Sequence, residues 1–171
     1  MMWSDQEISM AEVIQRAKQE FEQSRGRMMG LLKDTPDDKL NWSPSPTARS
    51  PLAIVAHAGI AVHNITEMLQ GRPFGASTSA IADKGFRKEE QEFTSRDEVV
   101  ALFEKNAAAY VAWIDTLTEE GLNDPITFPF GLGTGTVLHG LTAAARHTEA
   151  HIAQLEYVQT IYGDQDWHMG I

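Results

Sequence analysis

The chain has 171 residues, 42% hydrophobic and 22% charged, the composition of one globular domain over residues 1–171. A net charge of −10 and a pI near 4.9 argue against nucleic-acid partners and an anionic membrane surface, because no basic excess exists to replace phosphate counterions. Cysteine is absent, which excludes disulfides, thiolate metal sites and cysteine nucleophiles, and leaves His, Asp, Glu or carbonyl oxygen to hold any metal.

No run of about 18 apolar residues is present. The start, M-M-W-S-D-Q-E, lacks the basic-then-apolar layout of a signal peptide. The expectation is a cytoplasmic protein with no membrane partner.

The first helix is expected from Ser4 to Lys33, with Ser4 or Asp5 as its cap. Ile8, Ala11, Ile14, Ala17 or Lys18, Phe21, Met28 and Leu32 recur at spacings of three and four. Thr35-Pro36 ends it. Residues 35–50 form a connection whose prolines forbid a long helix. Pro36 can start one helical turn through Leu40, and Trp42 is read as an aromatic lid on the core.

Ser50-Pro51 is a cap followed by proline at the first helical position. The second helix then runs to about Gln70, ended by Gly71 and Pro73. Ile54, Ala58, Ala61, Val62, Ile65, Met68 and Leu69 fill one arc at about 100° per residue. His57 lies at the edge of that arc, whereas His63 points roughly 120° away, with Thr66 and Glu67, toward solvent. Residues 71–93 read as a long connection with one helical turn near Ile81 to Gly85, and as the place for a substrate lid.

Ser95-Arg96-Asp97-Glu98 is a capping box that opens the third helix. Its buried stripe is Val99, Leu102 or Phe103, Asn106, Tyr110, Trp113 or Ile114, and Leu117, and Gly121 closes it. Residues 122–135 are apolar but broken by proline and glycine, with Ile126 to Phe130 extended. Gly131, Gly133 and Gly135 lack the β-α-β context of a nucleotide fingerprint.

The fourth helix is expected from Thr136 to Tyr162, with Gly163 as its stop. Val137, Leu141, Ala144, Thr148, Ile152, Leu155 and Tyr162 form its stripe. His147 and His151 lie along one border of it with Val158, while His139 falls on the far side with Arg146 and Tyr157. Trp167 and His168 in the tail fold back or meet a second copy.

Two imidazoles four residues apart share one helix face and can grip one ion. Of the six histidines, only His57, His147 and His151 combine a helical position with an edge-of-core direction. Three neutral imidazoles make an open metal site, with positions left for water or substrate. Such ligation suits a divalent transition metal: Zn, Ni, Fe or Cu. Glu149 points about 160° from His147, out of the site. Gln154, one turn past His151, is a candidate contact to a histidine or to substrate.

The block Ser50-Pro51-Leu52-Ala53-Ile54-Val55-Ala56-His57, preceded by Trp42-Ser43-Pro44, resembles the second-helix signature of the DinB-like family. His147-Thr148-Glu149-Ala150-His151-Ile152-Ala153-Gln154, followed by Tyr157, Tyr162 and Gly163, resembles its fourth helix. The resemblance implies an all-α four-helix bundle, here with a long connection between helices 2 and 3. It implies one metal ligand from the second helix, His57, and two from the fourth, His147 and His151. It further implies a homodimer acting on a small molecule, as a hydrolase or as an S-transferase using a low-molecular-weight thiol such as bacillithiol or mycothiol. A non-catalytic bundle that binds a metal or a small molecule is the alternative, and the sequence names no catalytic residue.

Overall fold

Four long helices carry the apolar stripes, and polar caps set where three of them start. The structure, a computed structural model, describes residues 9–72 and 74–168. Ser9 and Glu12 form a reciprocal capping box that starts α1 (Met10–Asp34). The expected cap at Ser4 or Asp5, and Ile8, lie outside the described residues, as does Pro73. Ser50 accepts from the Ala53 amide ahead of α2 (Pro51–Leu69), with Pro51 in its first turn. Thr78 caps α3 (Ser79–Glu90), and the Ser95–Glu98 box opens α4 (Arg96–Ile114).

Residues after α4 form a small antiparallel hairpin, β1 (Pro125–Thr127) with β2 (Thr134–Thr136), in which Ile126 pairs with Gly135. Only the first part of the expected 126–130 extended stretch is strand. Residues 129–131 turn instead, with Phe130 at φ 60°, ψ 25°. The remaining helices are the short α5 (Val137–Gly140) and α6 (Ala143–Ile161).

Three expectations change here. The 71–93 connection holds a helix of 12 residues, not one turn. The single helix expected over 136–162 is interrupted at Leu141-Thr142, where the Leu141 carbonyl accepts from the Tyr110 hydroxyl (2.7 Å). Gly140 sits tightly just before that break: a Cβ there would lie 2.8 Å from a Leu69 methyl. The third helix also stops at Ile114, short of Leu117.

The long helices form a four-helix bundle. α1 runs along α6 and more lightly along α4, while α2 runs along α4 and α6. Neighbours in sequence, α1 and α2 therefore stand at opposite corners. α2 and α4 approach closely at Gly59, where a Cβ would be 3.2 Å from the Phe103 Cα. Phe21, Met28, Leu32, Val55, Val62, Phe103, Tyr110 and Leu155 are wholly buried between the helices. The α2 helix is long and apolar enough on length and composition to cross a membrane, and 72% of that stretch is buried inside the bundle. Partly buried Trp42 closes one end, edge-on to Tyr162 at 5.8 Å. The tail folds back: the His168 ring reaches Asp34 (3.2 Å) and Asp164 (2.9 Å).

Candidate metal centre

Helix packing brings His57, His147 and His151 together from opposite ends of the sequence. His57 is near the middle of α2, and His147 and His151 lie one turn apart on α6, which packs on α2. One donor nitrogen from each ring lies within 4.8 Å of the other two. The Nε2 atoms of His147 and His151 are 3.1 Å apart. Two imidazoles on one tetrahedral ion with bonds of about 2.0–2.1 Å would sit about 3.3 Å apart, so this donor set fits a single cation.

The far nitrogens of two rings are already engaged. Nδ1 of His57 donates to Glu90 Oε1 (2.8 Å), and Nδ1 of His151 donates to Gln154 Oε1 (2.8 Å). Each ring then keeps its bare lone pair on Nε2, on the side facing the other imidazoles. Burial, with the neighbouring His151, His57 and Arg49, pushes His147 down to about 3. Burial and His57 push His151 down to about 4, against the upward pull of Gln154 and Glu90. Both are neutral imidazoles at neutral pH, the form that can donate to a cation.

Glu90, at the end of α3, is 5% exposed. It also accepts from Arg49 Nε and Nη2, both at 2.8 Å. Arg49 reaches on to Asp83 (2.7 Å), which in turn holds Arg87 (2.8 Å). Burial alone would raise the Glu90 pKa, yet the bonds from His57 and Arg49 outweigh it and hold the carboxyl below its ordinary value. An ionised carboxylate thus lies behind His57, carried by α3 and tied to Arg49, the residue before the α2 cap.

A cavity of about 300 Å³ opens in front of the His57 and His147 rings, lined also by Met68, Phe74, Phe86 and Phe130 among others. The Phe86 ring stands edge-on to His57 at 5.0 Å.

The other expected placements divide. His63, His139 and Glu149 are exposed and away from the site, as their helix directions require. Thr66 is buried rather than solvent-facing, with its hydroxyl satisfied by the Val62 carbonyl (2.7 Å). Sequence reasoning missed Glu90, Arg49 and Phe86. Their placement depends on α3, whose only buried residues are Ala82 and Glu90, so no apolar stripe announced it.

The model of the DinB superfamily matches residues 20–155, and the chain belongs to that superfamily. No curated protein matches the sequence. Among solved structures, the chain is similar to YfiT from Bacillus subtilis, described as a probable metal-dependent hydrolase with an unusual four-helix bundle topology. The TM-score is 0.69 at 15% identity, over 95% of this chain and 94% of that one. A conserved protein from Enterococcus faecalis aligns with a TM-score of 0.66 at 14% identity, over 88% and 97% of the two chains. The DinB-like protein YjoA from Bacillus subtilis gives 0.63 at 20% identity, over 88% and 94%. At these identities the likeness speaks for the fold.

Proposed function

We propose that this chain is a metal-dependent enzyme that holds one divalent transition ion, Zn, Ni or Fe, on His57, His147 and His151, and hydrolyses a small molecule. The observation that carries the reading is the convergence of three donor nitrogens, two of them on rings that line an open cavity, His57 and His147. An ion held by three protein groups keeps open positions and supplies Lewis acidity to a water or a small thiol. Glu90 orients His57 through Nδ1, and Gln154 does the same for His151. The description of YfiT as a probable metal-dependent hydrolase supports the same reading.

Hydrolysis stands ahead of thiol-dependent S-transfer because no lysine or arginine lines the cavity among the described residues. A low-molecular-weight thiol carrying carboxylates would find no counter-charge there. The homodimer implied by the family resemblance is kept as part of the proposal, and sedimentation showing only monomer at working concentrations would remove it.

The test is elemental analysis of protein purified without a histidine tag, together with a screen of esters, amides and other electrophiles with and without added thiols. Stoichiometric metal that disappears in His147→Ala, with turnover independent of thiol, is the expected result. Absence of metal, with an unchanged melting temperature for His147→Ala, would sink the metal site. Turnover only with thiol would replace hydrolysis by transfer.

A further inference from the structure

We propose that the cavity beside His57 and His147 selects a substrate with an uncharged aromatic group, seated among Phe74, Phe86 and Phe130 with its reacting end toward the histidines. The inference rests on the metal-site reading for the chemistry at that end, and on the cavity alone for the aromatic group.

Three separate elements supply the rings. Phe74 precedes α3, Phe86 is on α3, and Phe130 is in the turn between the two strands. Phe74 packs edge-on to Phe130 (5.4 Å between centroids, 82°) and tilted against Phe86 (5.9 Å, 35°). Phe86 stands at 89° to His57. Aromatic rings prefer such offset and edge-to-face partners, so these walls suit a further planar ring. Phe130 holds its place at positive φ, a region that few residues other than glycine adopt, in a turn where Gly131 and Gly133 also have positive φ. Backbone outliers of this kind gather at ligand sites, where the surroundings over-determine them.

Size and charge narrow the class further. An apolar cavity of about 150 Å³ takes benzene, so the 300 Å³ here accommodates a substituted or bicyclic ring. No basic side chain lines the space among the described residues to receive an anion. Asp83 is its one acidic wall, and that carboxylate is bonded to both Arg49 and Arg87, so it is not free for a cation. The uncharged polar groups at the wall are Asn64 and Ser79, suited to a neutral substituent.

The experiment compares benzohydroxamate with acetohydroxamate, which share a metal-chelating head and differ in phenyl against methyl, on zinc-loaded protein by calorimetry. Benzohydroxamate should bind roughly tenfold or more tighter, the value of burying a phenyl-sized group. The margin should shrink in Phe86→Ala and Phe130→Gly, and on adding a 4-carboxylate to the ring. Phe130→Gly also suits the left-handed backbone, so it keeps the fold while deleting the ring. Equal affinities for the two hydroxamates, or undiminished binding of the 4-carboxylate, would overturn the proposal while leaving the metal site standing. Failure of the metal site shows separately, as no binding when apoprotein is titrated with zinc. In that event neutral indole is titrated into apoprotein carrying ¹³C-methyl methionine, with the Met68 signal assigned by Met68→Leu. A saturable shift of the Met68 methyl upholds the aromatic cavity, and an unmoved signal overturns it.

Discussion

Replacing Glu90 separates the two jobs that its carboxylate does. Glu90→Ala removes three hydrogen bonds at once: two from Arg49 and one from His57. Breaking a buried ion pair costs about 3–5 kcal/mol, because the surviving charge is left uncompensated. Arg49 keeps Asp83 and its side chain is 14% exposed, so the lower end, about 3 kcal/mol, applies. At about 2–4 °C per kcal/mol for a chain of this size, the apoprotein should melt about 6–12 °C lower. Freed of its partner, the His57 ring loses its fixed tautomer and orientation, which should weaken zinc binding about 10–100-fold. Glu90→Gln keeps a carbonyl oxygen for His57 Nδ1 and Arg49 Nη2 but turns an amide toward Arg49 Nε. It should lower the melting temperature while retaining most of the zinc affinity. Calorimetry on apoprotein and competition against a chromophoric chelator read the two effects independently. Zinc affinity within about twofold of wild type in Glu90→Ala, a margin well under the range expected for such partners, would refute the orienting role and leave Glu90 as a clamp for α3.

Other expectations follow from the same geometry. With zinc at about 100 times its dissociation constant, binding should stabilise the protein by about 2.7 kcal/mol, or about 5–11 °C, and His147→Ala should abolish the zinc-dependent rise. Gly59→Ala forces a methyl against the Phe103 backbone and should cost about 1–3 kcal/mol, seen as a lower denaturant midpoint at unchanged slope. Tyr110→Phe removes the bond to the Leu141 carbonyl and should cost about 0.5–1.5 kcal/mol in the same assay. For His168, burial lowers the pKa, but Asp164, Asp166 and Asp34 outweigh it and the net shift is upward. A group raised on folding stabilises fully below its unfolded pKa of about 6.5, and the contribution fades as pH climbs through the folded value. Wild type should therefore exceed His168→Gln in stability at pH 5.5 and converge with it at high pH. A gap that widened with pH would contradict that linkage.

The bundle was readable because its helices bury apolar residues at helical spacing and the Ser50 and Ser95 caps mark where α2 and α4 begin, whereas the cap of α1 is Ser9 rather than Ser4 or Asp5. His57, His147 and His151 could be singled out for the same reason, since their directions follow from the arcs of α2 and α6. Gly140 was the one local sign of the break at Leu141-Thr142, and the hydrogen bond that the Leu141 carbonyl accepts there comes from Tyr110 on another helix. The α3 helix escaped because its inward face carries Glu90 and Phe86 around one small Ala82, a pattern that resembles solvated surface until Arg49 is seen opposite. The carboxylate behind His57 was invisible for that reason, being 33 positions away in sequence.

The three imidazoles sit on the two helices that pack through the middle of the bundle, whereas the three phenylalanines sit on the segment after α2 and on the β1–β2 turn. Under the proposed function, reactivity and selectivity would then rest on different parts of the chain. The peripheral segments can lengthen, shorten or exchange their rings without shifting the axes of α2 and α6, provided that Glu90 keeps its bond to His57. A scaffold so divided lends itself to diversification: new chemical tastes can arise at the rim while the reactive centre is inherited intact.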